Sequence, residues 1–446
     1  MLPSTIQLPL GFHLLAKLDF QILIEIQHIQ QPSHIMIDIL KLHNQDLVDV
    51  MVELDCSNDP RTRVLHRLAE TGHVYPLDEN QLGPLRKANT VFPRSEWLSP
   101  ILDDQLPFEN LLNTKQIRGV IANEIGGENT YFFAPSRGSP ELNAQAIVEL
   151  LNNIHDPYYS KPGAILRMHS PTFERLCRYK ADWQNDGVLG VSAVTVAVTP
   201  ADDIQDMEYY DSYTLTTLLT GTKVWFAYPP LPVNLHALQT EYDSMSKDNT
   251  RFATNNSHNF QHGIAIIQQA GQTLVLPPFW IAASVTTQTS VSCAYHIATA
   301  ITFAERIKFL ENFLVTIHLW PLGDPEGQRR LLVFATEFIE HLNDVLADSF
   351  THYSASKVII DICRQYEPLR TGLRHVFDAI DDKAIVRGLE NNYRAVWLKF
   401  LEQKRKKTPA CRLCQVRIQN MPGGSSPTDR LRQHFVDLHC VRGGQT

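Results

Sequence analysis

The sequence predicts an α+β chain: a strand-rich barrel with flanking helices, then a helical block, then a small metal-stabilised tail. Three observations predict it. Between Val188 and about Thr302 the apolar residues fall in short β-branched and aromatic runs broken by Gly and Pro-Pro, which is how strands and their turns are written. Beyond Thr302 the apolar spacing changes to i, i+3, i+4 and i+7 with charges between, the period of amphipathic helices. The tail carries two cysteines and two histidines at zinc-ligand spacing.

A chain of 446 residues exceeds the usual single-domain size. Residues 1–114 mix short apolar segments with Pro-broken connections, and the lead-in is assigned no chemistry. Within the next stretch, Asn143 to Asp156 places Ala, Ile and Leu at helical intervals with Pro157 just beyond, a helix with its stop signal. It is expected to pack on the outside of the barrel.

The strand-rich stretch has two diagnostic parts. Asp202 to Pro230 reads DDIQDMEYYDSYTLTTLLTGTKVWFAYPP, and Gly271 to Ala283 reads GQTLVLPPFWIAA. Both are dense in Thr, Val, Tyr and Trp, as buried strands are. Between them lies the polar insert Met245 to Gly263, read as a surface loop. Its His258 and His262 are four apart and are weighed as a metal pair against a solvated loop.

The helical block contains FAERIKFLENFLVTIHLW, GQRRLLVFATEFIEHLNDVLADSF and the segment from Lys383 to Gln403. Such a block reads as a scaffold, or as a surface for dimerisation or partner recruitment. At its end Lys404, Arg405, Lys406 and Lys407 form a basic cluster. It reads either as a nuclear localisation or phosphate-contacting patch, or as the solvated end of a helix. From Leu401 to Thr446 the chain carries 9 Lys/Arg against 3 Asp/Glu, whereas its overall charge is -8. Nucleic-acid binding by the whole chain is therefore disfavoured, and a basic character belongs to the tail alone.

Seven cysteines, four of them scattered singly (Cys56, Cys177, Cys293 and Cys363), do not form a disulfide framework. A reducing compartment is the expectation. The N-terminal sequence lacks a basic n-region and a small-residue cleavage site, and no run reaches the 18 or so apolar residues of a membrane helix. A soluble, intracellular protein with no membrane partner is expected.

In the tail, Cys411-x2-Cys414 is followed after nineteen residues by His434-x4-His439, with Cys440 adjacent. Two thiolates and two imidazoles suit a tetrahedral zinc, and one tight turn presents both sulfurs to the ion. SSPTDRLRQHFVDLH supplies the helix for the histidines, with Ser426 as N-cap, Pro427 at the first helical position and Asp429 at N3. Leu431, Phe435 and Leu438 fall on one face. The segment 408–442 resembles BED-type and other long-loop C2H2 zinc fingers. Arg430, Arg432 and Gln433 lie early on its helix, where such fingers reach base edges or phosphates. A unit this small is expected to need its metal to fold. DNA or chromatin is the implied partner of the finger and basic cluster, with a protein-binding finger as the alternative.

The run Leu219-x-Gly221-x-Lys223-x-Trp225 ending in Pro229-Pro230, followed by Gly271-x-Thr273 and Pro277-x-x-Trp280, resembles the JmjC (jumonji C) family. Its members are cupin-type barrels (double-stranded β-helices), mostly iron(II) and 2-oxoglutarate oxygenases acting on histones or other proteins. The resemblance covers residues 115–305, leaving 306–407 as the helical region and 408–442 as the finger. It implies a facial triad of His-x-Asp/Glu and a later His. At those positions this chain has Asp206, Glu208 and Ala282. Lys223 matches the family's 2-oxoglutarate lysine, while Asp203 falls where many members have a hydroxyl that supports the same carboxylate, and an anion there would repel it. His296 offers a replacement imidazole, fourteen residues after Ala282. The plainer readings are a solvated acidic rim from Asp202 to Asp211, a surface ion pair at Lys223, and a hydrogen-bonded core histidine at His296.

The expectation is a JmjC-like barrel without catalytic residues, a pseudoenzyme that binds zinc in its finger but neither iron nor 2-oxoglutarate. It would act as a nuclear or nucleocytoplasmic, chromatin- or nucleic-acid-associated regulatory protein, with protein partners met through the helical region. The alternative is an iron(II)/2-oxoglutarate-dependent protein hydroxylase or histone lysine demethylase with an atypical metal site.

Overall fold

The computed structural model describes residues 72–74, 100–103, 113–126, 130–133, 140–161, 164–176, 187–248, 260–261, 263–310, 325–347, 355–402, 410–420 and 426–440. The lead-in is mostly outside these residues, as are His258, His262 and the cluster Lys404 to Lys407. The chain is α+β with a large, mostly antiparallel sheet. It divides into two compact units, one of Met1–Ala181 with Val191–Ile297 and one of Asp182–Gly190 with Ala298–Thr446.

The strands are β1 (Gly72–Val74), β2 (Ile101–Asp103), β3 (Thr130–Phe133), β4 (Ile165–His169), β5 (Val188–Val191), β6 (Thr195–Thr199), β7 (Ile204–Glu208), β8 (Tyr213–Tyr228), β9 (Gly263–Gln269), β10 (Thr273–Leu276) and β11 (Ile281–Thr299). Their central order is β1-β9-β8-β11-β6-β4-β3, with β10 beside β8 and β7 beside β11. The pairing of β1 with β9 is parallel.

The two longest strands carry the architecture. β8 and β11 pair antiparallel from Ile281 opposite Tyr228 to Ile297 opposite Tyr213. Each exchanges its outer neighbour midway. β8 uses Thr214 to Thr217 against β10 and Thr222 to Ala227 against β9. β11 uses Ala282 to Val285 against β7 and Ser290 to Ala294 against β6.

Gly221 marks the exchange on β8, and three register shifts between Thr286 and Ser292 mark it on β11. Such irregularities bend a strand and increase its twist. Gly221 has φ 77°, and a Cβ there would lie 2.3 Å from the Thr289 carbonyl oxygen. Only glycine meets both conditions.

Helices α1 (Thr114–Glu124), α2 (Pro140–Asn152), α3 (Pro171–Leu176) and α4 (Pro232–Asp248) belong to the first unit. Asn113 closes a capping box with Gln116 at the start of α1, satisfying two otherwise orphaned donors. Helix α2 agrees with the reading of Asn143 to Asp156, begun three residues earlier. α4 departs from the sequence reading, which ran strands through this stretch and began a loop at Met245. The helix takes in Met245 to Asp248. Its buried Asn234 explains its anchorage: the side-chain amide donates to the Pro229 and Gln261 carbonyls at 2.9 and 3.0 Å. It fastens the Pro-Pro turn to the chain entering β9.

The second unit contains α5 (Ala300–Lys308), α6 (Pro325–Leu346), α7 (Ala355–Arg364), α8 (Tyr366–Ala379), α9 (Lys383–Glu402) and α10 (Pro427–Leu438). Thr299 caps α5 by accepting from the Thr302 amide. One apolar core joins Phe303 of α5, Phe338 of α6, Leu373 of α8 and Trp397 of α9. Cys411, Leu431 and Phe435 of the tail lie in that same core. No helix among the described residues is long and apolar enough to cross a membrane.

Candidate metal centre and the sheet interior

The tail centre begins with a tight turn. Ala410 bridges Arg417, the Cys411 amide donates to the Val416 carbonyl at 2.8 Å, and the Gln415 amide returns to the Cys411 carbonyl at 2.9 Å. Gln415 takes φ 61° to close it. The Leu413 amide points at Cys411 Sγ, 3.4 Å away, an arrangement that stabilises a thiolate. Opposite this turn, Ser426 caps α10 through the Asp429 amide, with Pro427 beginning the helix. His434 lies within α10, and His439 is its C-cap. Leu431 and Phe435 are buried as the helical spacing requires, whereas Leu438 is 56% exposed and leaves the apolar face expected for it.

Cys411, Cys414, His434 and His439 bring one ligand atom each within 4.8 Å of all the others. Cys414 Sγ lies 3.2 Å from His434 Nε2, His434 Nε2 lies 3.3 Å from His439 Nε2, and His439 Nε2 lies 3.8 Å from Cys411 Sγ. A tetrahedral ion with ordinary zinc–sulfur and zinc–nitrogen bonds separates its ligands by about 3.3 to 3.8 Å. The four residues therefore fit a divalent cation of that kind. Burial, with His434 adding to it, pushes His439 down to about 4, and burial lowers His434 as well. Both rings are thus held neutral, the state in which imidazole ligates. Burial pushes the Cys411 thiol up to about 11. A metal bound there must displace its proton.

The surroundings of α10 are made by this chain. Arg432 is tied to Glu402 at 2.5 and 3.0 Å, and Gln433 donates to Asp437 at 2.8 Å. The Arg430 Nε is buried without a hydrogen-bond partner. Of the residues weighed for base contact, two are thus engaged internally.

In the sheet, the triad positions separate into different environments. Glu208 on β7 stands directly opposite Ala282 on β11, which in turn faces Ala227 on β8. The Glu208 carboxylate accepts from the Tyr210 hydroxyl at 2.9 Å and from Gln205 Nε2 at 3.4 Å. Asp206 lies on the same strand, with its side chain outside the described residues. Ala282 is buried in an apolar cluster with Trp225, Ile266, Leu274, Leu276 and Trp280. A methyl group among tryptophans provides no ligand, so the described residues do not fit a facial-triad iron. Among the described residues, the tail holds the one group of three or more potential metal ligands.

Lys223 is buried, and so are Asp202 and Asp203. The readings of a surface ion pair and of a solvated rim are therefore overturned at these three positions. Thr286 of β11 stands in register with Lys223, and its amide donates to the Asp203 carbonyl at 2.8 Å. That register brings the acid toward the base across one strand. Burial lowers Lys223 to about 8, with Asp203 pulling upward against it and Arg167 pushing further down. The carboxylate that balances this ammonium belongs to the protein.

His296 stands opposite Thr214, whose hydroxyl lies 3.1 Å from its Nδ1, and its ring lies against Tyr210 with centroids 4.2 Å apart and planes tilted by 38°. Its amide donates to Ser192 Oγ at 2.8 Å. These contacts are those of a hydrogen-bonded core histidine. Burial holds it down at about 4, with Asp211 opposing. The folded-state value lies below the unfolded one, so the stabilisation is present above about 6.5 and is lost as pH falls toward 4. Urea midpoints should accordingly drop across that interval, and His296→Gln should flatten the drop. An unchanged slope in the variant would contradict this role.

The sequence reading did not find Tyr366 and Arg370. The Tyr366 hydroxyl donates to the His439 carbonyl, and Arg370 NH1 donates to the Leu438 carbonyl at 3.1 Å. They lie 73 and 68 residues from the carbonyls they reach, and no local spacing announces such a pairing. Compared with known protein families and with curated proteins, the chain matches none.

Proposed function

We propose that this chain is a JmjC-like protein whose double-stranded β-helix has lost oxygenase chemistry and whose tail holds a structural zinc ion. On this reading it is a pseudoenzyme, acting by binding as a nuclear, chromatin-associated regulatory factor. The observation that carries the proposal is Ala282 opposite Glu208 inside the tryptophan-rich cluster. A family iron would need imidazole there, and the neighbouring apolar residues cannot replace it. The buried Asp203 near Lys223 supports the same reading, because a cosubstrate carboxylate there would meet a carboxylate of the protein.

Zinc is the cation favoured in the tail. Two thiolates with two imidazoles in a closed tetrahedron are a structural zinc set, with no open position for a substrate or water. The association with chromatin rests on the resemblance and on the basic character of the tail. The helical unit is the surface offered to protein partners.

Elemental analysis of the purified chain tests the two halves together. One equivalent of zinc, no retained iron, and no turnover of 2-oxoglutarate with added iron are expected. Ala282→His should not restore turnover, since a bulky polar ring forced among Trp225 and Trp280 costs about 1–3 kcal/mol of packing. Stoichiometric iron with 2-oxoglutarate consumption would establish the oxygenase alternative.

A further inference from the structure

The zinc centre is bonded to helices outside the finger. The last carbonyls of a helix have no partner within it. At the end of α10 those of Leu438 and His439 are taken up by Arg370 and Tyr366, both on α8. The Tyr366 ring also meets the His439 imidazole edge-on at 5.4 Å and Trp397 of α9 edge-on at 4.9 Å. Arg370 is itself held by Glu367 at 2.6 Å. On the other side of the tail, the Arg412 guanidinium sits 4.8 Å from the Phe400 ring of α9. Arg432 pairs with Glu402 at the end of the same helix.

We infer that the tail is an intramolecular metal clasp of the helical unit, with Tyr366 and Arg370 as positioning residues for the ligand His439. Residues that orient a metal ligand set how strongly the metal is held. Here those residues belong to a helix outside the Cys-to-His segment. Metal occupancy and the packing of α8 and α9 are therefore linked, because whatever binds the folded state alone stabilises it. Arg432, exposed on α10, is paired with Glu402 of α9 at the surface.

This inference rests on the reading of the four-residue cluster as a zinc site, and the test separates the two. In the full chain, zinc affinity is measured by competition with a chromogenic chelator, and the cobalt-substituted protein is examined by its visible absorption. Wild type, Tyr366→Phe, Arg370→Met and Ile360→Ala are compared, the last being an exposed residue of α7. The first two substitutions should weaken metal binding by tenfold or more, the range found for residues supporting a ligand. Tyr366→Phe should also shift the cobalt ligand-field bands, a change that loss of general stability would not produce. Ile360→Ala should match wild type.

Failure of wild type to take up zinc or cobalt would overturn the zinc reading and the clasp together. Wild-type binding with equal affinity and an identical cobalt spectrum in both α8 variants would overturn the clasp alone. Should Tyr366→Phe lose its fold, Arg370→Met decides, since its side chain is partly exposed and at the surface.

Discussion

Cys411→Ser should abolish zinc binding and lower the thermal midpoint of the helical unit by roughly 10 °C or more. A structural zinc contributes on the order of 10 kcal/mol to the folding of an isolated finger. Even a third of that, transmitted to a unit of this size, shifts melting by about that amount. The sulfur is 1% exposed and lies in one apolar core with Phe338, Leu373 and Trp397. A hydroxyl there loses the metal and leaves a polar group among aromatic side chains. The measurement is the helical circular dichroism melt with and without a zinc chelator. Chelation should bring wild type to the variant's midpoint and leave the variant unmoved. Helical melting indifferent to zinc in wild type would show that the tail folds apart from the bundle.

Asp203→Ala should destabilise the fold at neutral pH, because the buried Lys223 ammonium loses the nearby carboxylate that opposes the effect of its burial. Lys223 would then be a buried ammonium balanced by less, beside the cation of Arg167. Its folded-state value already lies near 8, below the unfolded one, and loss of the carboxylate lowers it further. Wherever the unfolded chain binds more protons, stability rises with pH. The deficit of Asp203→Ala should therefore shrink as pH rises from the variant's lowered lysine value to about 8, and stay level above that, where both proteins release the proton alike. The double variant Asp203→Ala with Lys223→Met should recover much of the loss, because a well-packed apolar side chain replaces a buried ion pair at little cost. Urea unfolding of the two single variants and the double variant gives the coupling. Strict additivity would mean that the two groups do not act as a pair.

Much of the tail was legible in the sequence because its rules are local. Ser426, Pro427 and Asp429 take the cap positions that their side-chain chemistry selects. The four ligands assemble from two short segments whose internal spacing does the positioning. The strands around Leu219 to Trp225 and Gly271 to Trp280 were legible for a similar reason, since Gly and Pro-Pro punctuate β-branched runs.

What escaped was set by distant partners. The exposure of Lys223 could not be judged without knowing that Thr286, more than sixty residues later, would pair beside it, with Asp203 bonded on the far side of that strand. Helix α4 escaped because a short apolar stretch is compatible with strand or helix until its packing is known. Its anchor, Asn234, finds Gln261 across the polar insert. The spacing marks the tail as a separate segment, 408–442, whose folding depends on its metal. Its core residues instead lie among those of the helical block, and no spacing within the finger could say so.

The shared core has a consequence for descent. A finger that closes on its own can be copied, lost or moved between genes without harming its neighbours. This one has Cys411, Leu431 and Phe435 among the aromatic residues of another element's interior, and its terminal carbonyls engaged by α8. Deleting it would take Cys411, Leu431 and Phe435 out of that core and the Arg412 guanidinium off the Phe400 ring. Substitutions on either side of that seam should therefore be tolerated best in matched sets.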